Sequence, residues 1–217
     1  MNADVFTRIF EIESEKKELT LYQQNVGDVS CVVWDAALVL AKYLDVLSSD
    51  ERLGGNWLVG KKILELGAGV GCVGMTAACL GAQVVMTDLE STLPMLKKNI
   101  INNEKQWKNS GSIEAQTLDW GNKIELDFQP DIVLLADCIY YSESIQPLIN
   151  TLEYFCKNKK TYAILSQEER DTPGQVPVWK EFLSELKKKF QLKYIPTSQQ
   201  HPTYSSDDIH LVELTYL

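Results

Sequence analysis

The chain has 217 residues, of which 45% are hydrophobic and 24% charged, so it is long enough for one α/β domain with a full apolar core. Its formal net charge of −9 argues against a nucleic-acid partner, because phosphates attract a basic surface, and suits a basic partner such as a lysine-bearing protein segment. Five cysteines and two histidines give no zinc-ligand spacing, so we expect free thiols and no metal.

Residues 1–5 lack a basic region followed by an apolar core, and no apolar run reaches membrane-spanning length. We therefore expect a cytoplasmic protein, with the nucleus as a second compartment and no membrane partner. In chain order, segments 20–24 and 29–33 are expected to pair as an accessory hairpin. A helix is predicted over 36–47 and a polar surface loop over 48–55.

From residue 62 onward, apolar runs alternate with helical patterns. The predicted strands are 62–66, 83–87, 113–117, 132–136, 162–166, 192–195 and 209–214. The predicted helices are 72–80, 92–103, 144–156 and 178–190. This alternation predicts a mostly parallel sheet with helices on both faces, and the last two strands, which have no helix between them, can pair antiparallel. We expect one domain over 1–217, with an accessory segment at 1–60 and a core at 61–217.

Residues 63–74 read Ile-Leu-Glu-Leu-Gly-Ala-Gly-Val-Gly-Cys-Val-Gly, which predicts a buried strand, a tight turn and the start of a helix. The backbone of Gly67, Ala68 and Gly69 can lie against a ligand. Glu65 would repel a pyrophosphate and attract a positively charged ligand. The stretch resembles the nucleotide-binding motif of S-adenosylmethionine-dependent methyltransferases.

Residues 69–74 also satisfy G-x-G-x-x-G, the dinucleotide fingerprint. The first glycine of that fingerprint lies three positions beyond Leu66 instead of closing the strand, so its register is poor. A nicotinamide cofactor therefore stays open as an alternative that the glycine loop disfavours.

Two further residues follow predicted strands, where ligands bind in open α/β sheets. Asp88 ends the second strand, where a carboxylate can accept both hydroxyls of a ribose; the alternative is a helix cap. Trp120 lies just past the third strand, where its indole can cover an adenine; the alternative is a core tryptophan.

Residues 136–141, Ala-Asp-Cys-Ile-Tyr-Tyr, follow the innermost predicted strand. Burying a carboxylate at Asp137, whose flanking residues are apolar, costs free energy unless the carboxylate is paired or hydrogen-bonded. With the rings of Tyr140 and Tyr141, it can hold a cationic side chain. The alternative is a helix-capping aspartate beside core tyrosines.

Together the segments resemble the protein-lysine methyltransferases of family sixteen, from about residue 19 to residue 212. The matching segments are 31–37 (Cys-Val-Val-Trp-Asp-Ala-Ala), 64–71, 87–89 (Thr-Asp-Leu), 119–121 (Asp-Trp-Gly), 136–141 and 208–210 (Asp-Ile-His). The resemblance implies a seven-stranded, Rossmann-like class I methyltransferase fold with an antiparallel last strand, and S-adenosylmethionine as cofactor. Gln167 departs from the pattern, because close relatives often carry an aromatic residue there.

The resemblance also implies roles for individual residues. It implies that Asp137 and Tyr140 serve the lysine. As a hypothesis on the mechanism, we assign Asp137 to orienting the amine through a hydrogen bond and Tyr140 to forming a wall and a second contact. The residues expected to contact the cofactor are Trp34, Glu65, Gly67, Ala68, Gly69, Asp88, Leu89, Trp120, Ala136 and Tyr141.

The implied partner is a protein substrate, with a lysine of the valosin-containing AAA ATPase as the expected acceptor and trimethyl-lysine as the product. Another chaperone or a translation factor is the alternative within the class. A nicotinamide-dependent oxidoreductase and a non-catalytic adaptor are the alternatives outside it.

Overall fold

A computed structural model describes residues 5–25, 29–53 and 55–217. The strands are β1 (Val5–Ile12), β2 (Lys17–Gln24), β3 (Lys62–Leu66), β4 (Gln83–Asp88), β5 (Ser112–Thr117), β6 (Ile132–Ala136), β7 (Tyr162–Glu168), β8 (Phe190–Tyr194) and β9 (Ile209–Tyr216). The α-helices are α1 (Asp35–Ser49), α2 (Cys72–Cys79), α3 (Leu93–Asn103), α4 (Ser142–Cys156) and α5 (Gln175–Leu186). No helix in these ranges is long and apolar enough to cross a membrane.

Seven strands form one sheet in the order β5-β4-β3-β6-β7-β9-β8. The strands from β5 to β7 in this order pair in parallel, and β9 is antiparallel to both of its neighbours. The predicted architecture is therefore confirmed, including the antiparallel pairing of the last two strands. Because β9 inserts between β7 and β8, the strand at the edge is β8.

Side chains that alternate along the central strands divide the core between the two faces of the sheet. Ile63 of β3 packs in the cluster that includes α1, α2 and the β1–β2 hairpin. Leu64 packs in the cluster that includes α4 and α5. The central strands are thus buried on both sides, as the apolar runs predict, and the carboxyl ends of the parallel strands lie at one edge of the sheet.

The N-terminal accessory hairpin is present as predicted, but one of the two strands assigned to it is wrong. The hairpin joins β1 to β2, while Val29–Cys31 is a 3-10 turn and residues 26–28 lie outside the described ranges. The turn at 13–16 reads Glu-Ser-Glu-Lys, and Lys16 adopts φ +52°. A turn with neither glycine nor asparagine at this position carries little sequence signal, so β1 goes unrecognised.

Two asparagines of α3 dock the hairpin onto the core. The Asn99 Oδ1 accepts a hydrogen bond from the Tyr22 backbone N at 2.7 Å, and the Asn103 Oδ1 accepts one from Thr20 N at 2.8 Å. These side chains satisfy backbone donors on the outer edge of β2.

Helix boundaries otherwise differ by a few residues. The predicted helix 178–190 is three residues late at its start, and it extends into β8, because α5 ends at Leu186. Within the predicted loop 48–55, Glu51–Leu53 forms a 3-10 turn, and residue 54 lies outside the described ranges.

Candidate active site

A cavity of about 330 Å³ opens at the carboxyl ends of β3, β4 and β6. All of the residues expected to serve cofactor or acceptor line it: Trp34, Glu65, Gly67, Ala68, Gly69, Asp88, Leu89, Trp120, Ala136, Asp137, Tyr140 and Tyr141. The chain therefore brings the predicted residues to one place, and the individual role of each stays a prediction.

The glycine loop approaches the cavity with bare backbone. Gly67 and Gly69 adopt φ values of +63° and +54°, which side chains disfavour. A Cβ on Gly67 would lie 2.8 Å from the Cys138 Sγ, and one on Gly69 would lie 3.3 Å from the Ser30 carbonyl oxygen. The loop can thus keep this close approach only with glycine at these positions.

The later glycines of the dinucleotide fingerprint serve the packing of α2. A Cβ on Gly71 would lie 2.5 Å from the Met86 Cε, and one on Gly74 would lie 2.4 Å from the Glu65 Oε2. Neither glycine lines the cavity. Their spacing therefore reflects contact between α2 and the sheet.

Asp88 ties the glycine loop to the end of β4. Its Oδ2 accepts a hydrogen bond from Gly69 N, and its Oδ1 accepts one from Leu89 N, both at 2.7 Å. The N-cap of α3 is Thr92, so the helix-cap alternative for Asp88 is wrong. The side chain is buried at the cavity wall.

Glu65 is a second carboxyl group at the cavity wall. Its Oε2 accepts a hydrogen bond from Gly74 N in the first turn of α2 at 3.0 Å. Burial raises the pKa of Glu65 to about 8, the Gly74 hydrogen bond opposes this shift, and the charge of Asp88 adds to it. Glu65 is therefore mostly protonated near neutral pH, while the sequence alone suggested an ionised group.

Aromatic and apolar side chains form the open side of the cavity. Trp34 is 40% exposed and Tyr141 52% exposed, and the Trp34 Nε1 donates a hydrogen bond to the Val29 carbonyl oxygen at 2.8 Å. Trp120 is half-buried, packs against the core under α4 and α5, and also lies beside Gly67. Trp120 thus packs against the core and also lines the cavity, and its contact with an adenine stays a prediction.

Asp137 holds an uncommon backbone conformation, with φ +55°, at which non-glycine residues are rare. Its Oδ1 accepts hydrogen bonds from the Gln167 Nε2 at 2.8 Å and the Arg170 Nη1 at 3.0 Å. Its Oδ2 accepts one from the Arg170 Nη2 at 2.5 Å. The N-cap of α4 is Tyr141, so the helix-cap alternative for Asp137 is wrong.

The sequence analysis names Gln167 only as a departure from the family pattern, and it misses Arg170 altogether. Gln167 is buried, and its Oε1 also accepts a hydrogen bond from Ile139 N at 3.0 Å. Both residues lie at or just after the end of β7, where Ser166 is in register with Ala136 of β6. Applying the carboxyl-end rule to β7 as well as to β6 would have placed them beside Asp137.

A second cavity of about 220 Å³ adjoins the first. Its lining consists of Val29, Trp34, Asp137, Tyr140, Tyr141, Arg170 and Gln175, of which all but the last two also line the first cavity. The Tyr140 and Tyr141 rings meet edge to face, with centroids 4.6 Å apart. Asp137 and Tyr140 therefore lie where the two cavities meet.

Comparison with known proteins assigns the chain to a family. Residues 13–189 match the family model described as lysine methyltransferase. The chain belongs to this lysine methyltransferase family. Among the described residues, no group of three or more His, Cys, Asp and Glu side chains could hold a metal ion.

Several curated relatives are similar over most of their length. Protein N-lysine methyltransferase METTL21A of Danio rerio is 35% identical over 207 residues, which cover 93% of this chain and 84% of the relative. EEF1A lysine methyltransferase 3 of Xenopus tropicalis is 35% identical over 77% of this chain and 72% of the relative. The enzyme is accordingly a protein-lysine N-methyltransferase, which decides against the oxidoreductase and the adaptor.

Solved structures share the fold at low sequence identity. The 16S rRNA methyltransferase RsmC of T. thermophilus, in complex with AdoMet and guanosine, has a TM-score of 0.62 at 19% identity, and the match covers 97% of this chain and 50% of that one. The glycopeptide N-methyltransferase MtfA, complexed with sinefungin, has a TM-score of 0.55 at 15% identity over 80% of this chain and 93% of that one. These matches confirm the class I methyltransferase fold.

Proposed function

We propose that this lysine methyltransferase uses S-adenosylmethionine, held in the larger cavity, and a protein lysine that enters the smaller one. The observation that carries the proposal is that the two cavities meet at Asp137 and Tyr140. Cofactor and acceptor can thus approach each other from opposite sides. Family membership and the methyltransferase structures with AdoMet or sinefungin support the cofactor.

The residues at the larger cavity fit this cofactor. Its volume is in the range of small-molecule sites, and the bare backbone at Gly67 and Gly69 allows close contact. Asp88 supplies carboxylate oxygens at the end of β4, where a ribose is expected. Trp34 and Tyr141 supply exposed ring faces at the opening.

When bound, S-adenosylmethionine supplies a methyl group that its sulfonium activates for in-line displacement. The chain must then align the acceptor amine and accept it in neutral form. A free lysine has a pKa of ~10.4, so neutralising it at pH 7 costs roughly 4–5 kcal/mol. Asp137 orients the amine by accepting an N–H hydrogen bond, Tyr140 lines its path, and the amine loses its proton to water before it is enclosed.

Replacing Asp88 with alanine is expected to weaken S-adenosylmethionine binding by about 1.5–3 kcal/mol. The change removes a charged acceptor at the ribose position and releases the Gly69 and Leu89 backbone amides. Calorimetry with S-adenosylmethionine and its demethylated product measures the loss, with NAD as a ligand that should show no comparable binding. Asp127→Ala, at an exposed aspartate outside both cavities, is the control. Unchanged affinity in Asp88→Ala, or preference for NAD, contradicts the assignment.

For the substrate, we propose a lysine of the valosin-containing AAA ATPase, carried to the trimethyl state. Support comes from the resemblance of segments 31–37, 136–141 and 208–210 and from the acidic chain, which suits a cationic partner. A translation factor is the second candidate, because a relative is named for its action on EEF1A.

Incubation with labelled cofactor distinguishes the two substrates. Purified ATPase and purified EEF1A are offered separately and together, and peptide mass spectrometry locates the modified residue and counts its methyl groups. We expect trimethyl-lysine on the ATPase, formed about 10²-fold more slowly by Asp137→Asn. Labelling of EEF1A alone would reject the ATPase while leaving the lysine methyltransferase activity intact. Labelling of nucleic acid or a small metabolite would reject both.

A further inference from the structure

The carboxylate that meets the acceptor is already bound to an arginine. The two terminal guanidinium nitrogens of Arg170, Nη1 and Nη2, donate to Asp137, one to each carboxylate oxygen. The side chain of Asp137 is 3% exposed and that of Arg170 22%. Arg170 also bonds to the Glu168 Oε2 at 2.7 Å, and its guanidinium carbon lies 5.2 Å from the Trp34 ring centre. A bidentate pair in a mostly buried setting is among the stronger charge interactions of proteins.

The ion pair between Asp137 and Arg170 changes the electrostatic environment of the acceptor amine. A carboxylate beside an amine favours the charged ammonium, which cannot attack a methyl group because it has no lone pair. Further anions lie near Asp137: burial raises the pKa of Glu168, the charge of Arg170 lowers it, and the charges of Asp137, Asp208 and Asp35 raise it. The positive charge of Arg170 opposes these anions, and its own pKa is raised by the hydrogen bond to Asp137.

We propose that Arg170 is a positioning residue that keeps Asp137 paired, so that the smaller cavity admits lysine as the neutral amine and disfavours the ammonium. The inference rests on the proposed lysine acceptor. An ammonium beside Asp137 is repelled by the guanidinium charge of Arg170, and displacing one partner of a buried pair to relieve that repulsion is costly. A neutral amine needs only to donate one N–H to a carboxylate that keeps its arginine. The guanidinium charge also lowers the pKa of an amine beside it.

A merely structural role makes a different prediction. If Arg170 only anchored the chain after β7 to β6, its loss would lower turnover by misplacing Asp137, and the pH dependence would stay the same. If Arg170 sets the protonation of the acceptor, its loss must move the pH dependence of kcat, which reports groups in the enzyme–substrate complex.

The test compares Arg170→Gln, which removes the charge, with Arg170→Lys, which keeps it. The probe is the purified ATPase, with whole-cell extract and methyl-lysine analysis in parallel. For Arg170→Gln we expect the rising limb of kcat against pH to move up by about one pH unit or more, which corresponds to a kcat about tenfold lower at pH 7. The KM for the protein substrate should stay equal or fall, because unpaired Asp137 attracts the ammonium. Arg170→Lys should restore most of the wild-type profile.

Two further variants keep the inference testable if Arg170→Gln misfolds. Glu168→Gln removes an anion that shares Arg170, so it should move the rising limb to lower pH. Arg52→Gln removes an exposed arginine paired with Asp50 and should leave the profile unchanged. Calorimetry with the demethylated cofactor product verifies that each variant retains its cofactor site.

The outcomes separate the two proposals. A rising limb that does not move in Arg170→Gln, or that does not move to lower pH in Glu168→Gln, overturns the role of Arg170 and leaves lysine methylation intact. Failure of the wild-type protein to form methyl-lysine in either probe overturns both the proposed function and this inference.

Discussion

Replacing Asp137 with asparagine is expected to lower turnover by about 10²-fold or more and to leave cofactor affinity within a few fold. Asparagine keeps the shape of the side chain, but its amide nitrogen cannot accept a hydrogen bond. It therefore loses one of the two contacts with Arg170 and the charge that orients the acceptor. Turnover is measured with labelled cofactor, and affinity is measured by calorimetry.

The control for this substitution is Asp127→Asn, a matched change at an exposed site outside both cavities. This control should leave both turnover and cofactor affinity unchanged. If Asp137→Asn turned over at the wild-type rate, the acceptor role of Asp137 would be wrong, and its contacts with Gln167 and Arg170 would serve only to join β6 to β7. If cofactor affinity fell together with turnover, Asp137 would be acting on the larger cavity.

The core of the fold could be predicted because its signals are local. β3 and β6 have the predicted bounds, 62–66 and 132–136, since short apolar runs bounded by turn residues are typical of buried parallel strands. β1 could not be predicted, because only Phe10 and Ile12 among its residues are buried and its turn lacks the usual residues. The stability of β1 comes from pairing with β2 and from packing, which a local pattern does not show.

The sequence predicts those residues of the candidate site that directly follow a recognisable strand. Asp88 and Asp137 each follow a recognisable strand, so the carboxyl-end rule brings them together. The ion pair between Asp137 and Arg170 joins positions 33 residues apart, and only the pairing of β6 with β7 makes them neighbours. The bond between Glu65 and Gly74 depends likewise on how closely α2 packs against the sheet.

The largest expected effect on stability comes from Glu65. Its pKa lies at about 8 in the folded chain, against 4.5 for the ordinary group. Folding therefore takes up a proton between these values, and the free energy of unfolding falls as pH rises from about 5 to about 8. The difference in pKa corresponds to a loss of about 4–5 kcal/mol at the upper end of this window.

Glu65→Gln should abolish this part of the pH dependence of the free energy of unfolding. Glutamine offers the same acceptor to Gly74 N and has no proton to lose. Wild type and variant should be similarly stable near pH 5 and diverge towards pH 8, with the variant more stable. Denaturant unfolding of both proteins across this range, without cofactor, measures the difference. Glu181→Gln, at an exposed position on α5, is the control and should follow the wild type. A difference between wild type and Glu65→Gln that does not change with pH would mean that Glu65 is ionised in the folded chain.

The same proton links Glu65 to cofactor binding. S-adenosylmethionine carries a positive charge, and a cation beside Glu65 favours the ionised carboxylate. Binding near pH 7 should therefore release a proton from Glu65, and affinity should rise with pH until the group is ionised in the free protein as well. Calorimetry in two buffers of different ionisation enthalpy counts the released proton. In Glu65→Gln the release should vanish and the affinity should become independent of pH in this window. Equal proton release in both proteins would place the cofactor's charge away from Glu65 and leave that residue as support for α2 alone.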